Sequence, residues 1–221
     1  MPEMDAPAAQ DSTTTQTIAG ERGPGLSRTD EARARLLSAA ERLICARGVA
    51  GTGIEAILAE AEVAKATLYR LFGSKEALVE AVLDRHSRGW SAWFAARLAE
   101  TPGPAEERLL AGFDILAEWF RSPGFRGCPI LNAIGEGPAA GDAPRRVAAA
   151  HKARLSPVLV GLAREAGVPD PQALVDAFIL LMDGAIVVAL ASGSPAPAMT
   201  ARATFAAVLQ AAKASTHAPA A

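Results

Sequence analysis

The chain has 221 residues, 50% hydrophobic and 21% charged, so it can bury one or two cores and is not a wholly disordered protein. Its net charge of −2 excludes binding of a polyanion by bulk attraction alone. The two cysteines, Cys45 and Cys128, have no zinc-type spacing with one another or with a histidine. We therefore expect a reducing compartment, no metal and no cofactor.

Both ends of the sequence are predicted to be tails. Residues 1–27 are rich in Ala, Pro, Thr, Gln and Gly, and residues 216–221 are similar, so both segments are expected to be disordered. The N-terminus lacks the apolar segment of a signal peptide. The apolar run 177–191 is interrupted by Asp183 and Gly184, which argues against a membrane span. We expect a cytoplasmic protein without membrane contact.

Four helices are predicted in the first hundred residues. A stripe of apolar residues from Leu36 to Ile44 indicates the first helix, with Thr29 as its cap and Gly48 at its end. Residues 54–61 repeat the same period, and residues 65–72 follow a short turn. Ser74 is expected to cap a long fourth helix that runs to about Glu100.

Helical patterns continue to the end of the chain. They cover residues 105–122, 144–167, 171–192 and 199–214, and clusters of proline and glycine divide them. No stretch alternates with a period of two for long enough to form a sheet. The sequence predicts an all-α fold, with a small N-terminal unit to about residue 80 followed by a larger helical body.

The stretch VAKATLYRLFGSKEAL, residues 63–78, separates two kinds of side chain. On a helical wheel Leu68, Leu71 and Phe72 share one side, and a small alanine flanked by donors lies opposite. A small residue lets a helix approach DNA closely in the major groove, where the donors meet base edges and phosphates. A helix pair with a solvated polar face explains the same pattern, because helix-turn-helix geometry is also found in proteins that do not bind DNA. Residues 27–80 hold as many acidic as basic side chains, so DNA binding would depend on where the charges lie.

The segment GTGIEAILAEAEVAKATLYRLFGSKEALVEAVL, residues 51–83, resembles the DNA-binding signature of the TetR family of transcriptional regulators. The family pattern is close to T-x-x-x-x-I-A-x-x-A-G-V-S-x-x-T-L-Y-x-x-F-x-S-K-E-x-L. Matches lie at Thr52, Ile57, Ala61, Val63, Thr67, Leu68, Tyr69, Phe72, Ser74, Lys75, Glu76 and Leu78. The segment FRGCPILNA, residues 125–133, resembles one branch of the family. The resemblance implies a three-helix helix-turn-helix DNA-binding domain over residues 28–85 and a helical ligand-binding and dimerisation domain over residues 86–215.

The resemblance also implies the residues that meet a double-stranded DNA operator. They are Thr52, Lys65, Ala66, Thr67, Tyr69, Arg70 and Lys75. Lys65, Ala66 and Thr67 would face bases or adjacent phosphates, and Tyr69 and Lys75 would hold phosphates. Arg70 would reach a base edge or the backbone, and Thr52 a phosphate near the start of the second helix.

Three positions depart from the family pattern. Glu62 replaces the usual turn glycine, which costs about 1–2 kcal/mol if that residue is left-handed. Ala64 replaces a capping Ser or Thr, which forgoes about 1 kcal/mol. Leu71 replaces a residue that is often polar or aromatic, which removes one possible DNA contact. These departures affect the expected DNA affinity more than the expected fold.

The body is expected to form a homodimer and to hold a ligand. Residues 173–192 and 203–212 are apolar or small nearly all round, so we expect them to form a four-helix interface with a second copy; the alternative is a core helix of a monomer. Asp183 within this apolar run needs a partner. A small, largely apolar ligand is expected in a pocket between helices. Candidate lining residues are Phe113, Leu116, Trp119, Phe120, Cys128, Asn132, His151, Phe178 and Met182.

The resulting prediction is a repressor that binds a palindromic operator as a dimer and is released by its ligand. Ligand binding would favour a conformation whose two recognition helices are wrongly spaced, and the fourth helix would transmit the change. A redox sensor that uses Cys128 is a variant of this prediction. The alternative class is a helical small-molecule-binding or scaffold protein without DNA binding. An enzyme is not expected, because His86, His151 and His217 are scattered and the GTGIEA motif follows a helix instead of a strand.

Overall fold

The computed structural model describes residues 27–214. The tails expected at residues 1–27 and 216–221 lie outside this range, apart from Ser27. Between residues 27 and 214 the fold contains helices and no strand, which confirms the all-α prediction. The helices are α1 (Arg28–Arg47), α2 (Ile54–Ala61), α3 (Lys65–Phe72), α4 (Lys75–Glu100), α5 (Ala105–Phe120), α6 (Pro129–Gly135), α7 (Ala143–Glu165), α8 (Pro171–Ser192) and α9 (Ala196–Ala214), with a 3-10 helix at Gly137–Ala140.

The chain forms two compact units. The N-terminal unit contains the residues up to Ser87 together with Pro129–Val147, and the C-terminal unit contains Arg88–Cys128 and the residues from Ala148 onward. The segment 129–147 thus belongs to the N-terminal unit by its contacts, and the domain bounds 28–85 and 86–215 stay a prediction. The sequence analysis did not predict α6 or the 3-10 helix, because pieces of seven and four residues are too short to show a period.

The N-cap of α1 lies two residues before the expected cap. Ser27 is the N-cap, and its hydroxyl accepts a hydrogen bond from the Asp30 N–H at 3.2 Å. The Asp30 carboxylate in turn accepts from the Ser27 N–H at 3.3 Å, which completes a capping box. The prediction of Thr29 as the cap was wrong, since Thr29 lies inside the first turn. The end of α1 at Gly48 is as predicted, and this glycine has a φ of 76°.

The core of the N-terminal unit lies between α1 and the two short helices. Leu36, Ala39 and Ala40 of α1 are fully buried, and α1 packs on both α2 and α3. Ile57 and Leu68 contribute the fully buried side chains of α2 and α3. The apolar stripe of α1 therefore fixes the position of α3, on which the DNA-binding prediction rests.

The C-terminal unit has a core of phenylalanines on three helices. Phe113 of α5, Phe178 of α8 and Phe205 of α9 are fully buried, with ring centroids 4.6–5.4 Å apart. A Cβ atom on Gly112 would lie 2.7 Å from the Phe178 ring, so α5 and α8 approach each other closely at this glycine. This close approach explains why a glycine, and no larger residue, occupies position 112.

Helix α8 is apolar on more sides than this core covers. By length and composition it is long enough to cross a membrane, with a mean hydropathy of 2.3 over a window that is 39% buried. The interruption at Asp183 and Gly184 had argued against such a span, but both residues lie within the continuous helix. The core helix of a soluble protein passes the same test. Its uncovered side includes Leu180, Val187 and Val188, which are 75%, 54% and 53% exposed.

Candidate nucleic-acid interface

The turn between α2 and α3 is tight and contains a left-handed residue. Glu62 has φ 53° and ψ 46°, which is the left-handed conformation that the sequence raised for this position. Among residues 27–214 it is the one non-glycine residue with a positive φ. The N–H of Val63 returns to the carbonyl of Leu58 at 3.2 Å, which closes the end of α2. Ala64 occupies the N-cap of α3 and provides no side-chain hydrogen bond. The turn therefore forms without the glycine and the capping hydroxyl of the family pattern.

Helix α3 is held by one buried anchor and presents polar groups to solvent. Leu68 is fully buried, whereas Leu71 and Phe72 are half-buried. The guanidinium of Arg33 in α1 lies 4.6 Å from the centre of the Phe72 ring, which adds a cation–π contact to the anchor. Of the α3 residues expected to face DNA, Lys65, Ala66, Tyr69 and Arg70 are exposed. Thr67 is half-buried.

Lys65 is engaged by a carboxylate of the preceding helix. Its Nζ lies 2.7 Å from Oε1 of Glu55, and the two side chains are 58% and 75% exposed. The hydrogen bond to Glu55 and the charge of that carboxylate raise the pKa of Lys65. Lys65 therefore stays charged at neutral pH and is paired with an acid on the protein surface.

The other two residues of the predicted interface contact the loop between α1 and α2. The hydroxyl of Thr52 donates to the Gly48 carbonyl at 2.6 Å, and Thr52 is 1% exposed. The Nζ of Lys75 donates to the Val49 carbonyl at 3.2 Å. In this structure both side chains support the loop, and their contacts with phosphates stay predictions.

A carboxylate distant in sequence accepts hydrogen bonds from the backbone of this loop. Glu136, in the turn after α6, accepts hydrogen bonds from the N–H of Val49 at 2.8 Å and of Ala50 at 2.5 Å. The sequence analysis missed Glu136, because these partners are 87 and 86 residues apart and no local pattern connects them.

A second charged cluster joins α1 to α4 within the N-terminal unit. Burial works against the charged form of Glu41, but hydrogen bonds and charges from His86 and Arg85 outweigh it and lower the pKa of Glu41. Glu41 lies 3.6 Å from Nδ1 of His86 and forms an ion pair with Arg85, whose guanidinium also donates to Ser38 at 3.4 Å. This cluster joins the middle of α4 to α1.

Part of the predicted ligand pocket forms an aromatic cluster in the C-terminal unit. Trp119, Phe120 and His151 are buried, and the rings of Trp119 and His151 each lie 5.5 Å from the ring of Trp90. Nδ1 of His151 lies 3.3 Å from Oγ of Ser91, whereas the buried indole nitrogen of Trp90 has no hydrogen-bond partner among residues 27–214. The sequence analysis missed Trp90, whose position in α4 gave no sign of contact with α5 and α7.

Ring contacts connect the core candidates to this cluster, because the centroid of the Phe94 ring lies 5.0 Å from that of Trp90 and 6.4 Å from that of Phe178. Phe113, Leu116, Phe178 and Met182 are at most 1% exposed and belong to the packed core. Cys128 is 7% exposed and belongs to the C-terminal unit, whereas Asn132 is exposed and belongs to the N-terminal unit. A pocket that joins all nine candidates stays a prediction.

The partner expected for Asp183 is a lysine of α7. Nζ of Lys152 lies 2.5 Å and 2.6 Å from the two carboxylate oxygens of Asp183, and each side chain is 27% exposed. The pair explains how α8 tolerates a carboxylate inside an apolar run.

Comparison with known proteins assigns both parts of the chain. Residues 36–82 match the family of bacterial regulatory proteins, tetR family, and residues 141–211 match the tetracyclin repressor-like C-terminal domain. An uncharacterized HTH-type transcriptional regulator of Mycobacterium tuberculosis is 36% identical over 102 residues, or 42% of this chain and 50% of the relative. The HTH-type transcriptional repressor NemR of Escherichia coli is 36% identical over 81 residues, or 37% of this chain and 41% of the repressor. These alignments span half or less of the relatives' length.

Solved structures extend the similarity over nearly whole chains. A TetR-family transcriptional regulator from Streptomyces coelicolor has a TM-score of 0.72 and 33% identity, covering 83% of this chain and 97% of its own. The reduced form of E. coli NemR has a TM-score of 0.71 and 25% identity, covering 79% of this chain and 95% of its own. These matches show that the chain belongs to the TetR family of transcriptional regulators, and its α2–α3 pair, which buries Leu68 and exposes a polar face, is the family's helix-turn-helix DNA-binding unit.

Proposed function

We propose that the chain is a cytoplasmic repressor that binds a palindromic operator as a homodimer and is released by a small molecule bound in its C-terminal unit. The observation that carries this proposal is the polar face of α3, where exposed Lys65, Tyr69 and Arg70 surround exposed Ala66. A small residue among donors permits close approach to base edges, and the donors supply both base and phosphate contacts. NemR, which is similar in sequence and in structure, is named as a repressor.

The uncovered side of α8 supports the homodimer. Leu180, Val188 and Met199 are 75%, 53% and 43% exposed, and they lie on the two helices that were expected to form the interface. A shallow apolar groove of about 480 Å³ runs between α8 and α9 and includes Gly184 and Ala201. An exposed apolar face of this kind is typical of an interface between protein chains, and a second copy would bury it.

The aromatic cluster supports a ligand site in the C-terminal unit. Trp90, Trp119 and His151 bring ring surfaces and a buried, unpaired indole N–H together among the described residues. Ring surfaces with a few polar groups are typical of sites for small, largely apolar ligands. Release would follow if the ligand favours a conformation in which the two α3 helices no longer match the operator.

Selection of bound sequences from a random DNA library tests this function. The proposal predicts one enriched palindrome whose half-sites lie about 10 base pairs apart or a multiple of that distance. Enrichment of a single half-site would contradict the dimeric arrangement. Failure to enrich any sequence would contradict DNA-binding repression and would favour the alternative of a helical ligand-binding or scaffold protein.

A further inference from the structure

The surface around α3 carries a carboxylate among its DNA-facing donors. Glu55 lies in the first turn of α2, and its Oε1 is 2.7 Å from Nζ of Lys65 in the first turn of α3. With exposed fractions of 75% and 58%, the two side chains are in solvent, where a DNA backbone would meet them.

The fold gains little from this contact. Exposed ion pairs stabilise a fold only weakly, because water and salt screen them and both side chains lose rotamer freedom. The effect on charge is larger, since the pair is neutral as a whole. A phosphate that approaches Lys65 must compete with a carboxylate already bound to it and is also repelled by that carboxylate.

We propose that Glu55 is a specificity-determining residue that withholds Lys65 from DNA of arbitrary sequence. The inference rests on the proposed function in one respect, the placement of Lys65 at the DNA surface. Complexes with arbitrary DNA are held together by phosphate contacts, and each contact contributes through the release of counterions. A lysine held by a glutamate releases fewer counterions, so the non-specific complex is weakened.

The operator complex is weakened less. There, base contacts from α3 hold the helix in one register on the DNA. The free energy of these contacts offsets the cost of moving Lys65 from Glu55 to a group of the DNA. A negative charge that weakens binding of arbitrary DNA more than binding of the operator raises specificity at some cost in affinity. Glu55 thus acts on the ratio of the two affinities.

A matched control lies on the same helix. Glu60 of α2 forms an ion pair with Arg42 of α1, with Oε1 2.8 Å from Nε. Replacing Glu60 with Gln removes the same charge from the same eight-residue helix but leaves the pair at Lys65 intact. The Glu60→Gln variant therefore reports the effect of removing one charge and one exposed ion pair from α2 without releasing Lys65.

The experiment measures binding of a scrambled duplex of about 24 base pairs, and of the operator obtained by selection, between about 50 and 200 mM salt. Glu55→Gln is expected to tighten binding of the scrambled duplex about three- to tenfold at the low-salt end, with a smaller gain on the operator. The slope of log affinity against log salt should steepen by about 0.9, the value of one additional phosphate contact. Adding Lys65→Met to Glu55→Gln should reverse both changes, and Glu60→Gln should produce a distinctly smaller gain.

Two results would overturn the proposal: unchanged affinity and slope for Glu55→Gln, or an equal gain for Glu60→Gln. The single variant Lys65→Met separates this failure from that of the proposed function. If Lys65→Met weakens binding of the operator while Glu55→Gln changes nothing, the interface stands and only the role of Glu55 is wrong. If Lys65→Met affects neither duplex, the placement of Lys65 at DNA is itself wrong.

Discussion

The carboxylate of Glu136 accepts a hydrogen bond of 2.8 Å from the backbone N–H of Val49, a residue 87 positions earlier in the chain. Its second oxygen accepts from the N–H of Ala50 at 2.5 Å. Gly48 leaves the space for this contact, because a Cβ atom there would lie 2.6 Å from Oε1 of Glu136. The loop that leads into α2 is therefore held by a side chain from the segment after α6.

Removal of this carboxylate should loosen the loop. Glu136→Ala is expected to lower the free energy of unfolding by about 1–3 kcal/mol, since two backbone N–H groups lose an ionised acceptor. Glu136→Gln keeps one acceptor oxygen and should lose less. Hydrogen exchange at the amides of Val49 and Ala50 should accelerate in the same order. Unchanged exchange in Glu136→Ala would show that the contact does not hold the loop in solution.

Replacing the left-handed turn residue Glu62 should raise stability, whereas replacing Glu136 should lower it. Glu62→Gly should raise the melting temperature, because glycine adopts a φ of 53° without the penalty of a Cβ atom. The expected gain is about 1 kcal/mol after the greater chain entropy of glycine is included. Glu62→Ala keeps the Cβ atom and is the control, with little gain expected. A melting temperature that falls in Glu62→Gly would show that the turn is not left-handed.

The ion cluster at Glu41 predicts sensitivity to acid. Burial opposes the charge of Glu41, but contacts with His86 and Arg85 lower its pKa below the ordinary value of 4.5. Such a group contributes stability above its unfolded pKa, and this contribution is lost as the pH falls through its lower folded pKa. Chemical unfolding at several pH values should therefore show wild type losing stability below about pH 4.5. The difference between wild type and Glu41→Gln should shrink over that range. A difference that is constant with pH would contradict the lowered pKa.

The exposed face of α8 predicts the oligomeric state. Leu180→Glu places a charge at a side chain that is 75% exposed, so the fold of one chain should survive while a dimer interface would not. Analytical ultracentrifugation should show a dimer for wild type and a monomer for this variant, with unchanged helical circular dichroism. Gln172→Glu, at the start of the same helix, is the charge control and should remain dimeric. A wild-type monomer would contradict the proposed homodimer.

The sequence predicted what depends on local periodicity. The apolar positions of α1 and α3, the end of α1 at Gly48 and the cap of α4 at Ser74 all follow from spacing within one or two turns. It failed at one local feature, the cap of α1, and otherwise where the decisive contact is distant or the element is short. The bonds from Glu136 to Val49, the short helix α6 and the approach of Trp90 to His151 depend on tertiary packing, for which the chain has no local signal.

At the candidate site, too, the sequence predicted local features and missed contacts between elements. The pattern of α3 predicted which side chains are exposed, because a period of 3.6 residues assigns faces without further information. It did not predict that Lys65 would be paired with Glu55, or that Thr52 and Lys75 would turn toward the loop after α1. Those choices depend on acceptors supplied by other elements.

The most direct test of the central claim is fluorescence anisotropy with DNA from upstream of the protein's own gene and with scrambled DNA, at several salt concentrations. Lys65→Ala and Tyr69→Ala are the test variants, because both side chains are exposed on α3 and their removal should leave the fold intact. The account predicts tight, sequence-selective binding by wild type that is lost in both variants. Sequence-selective binding that survives both substitutions would contradict the claim that this face of α3 contacts the operator.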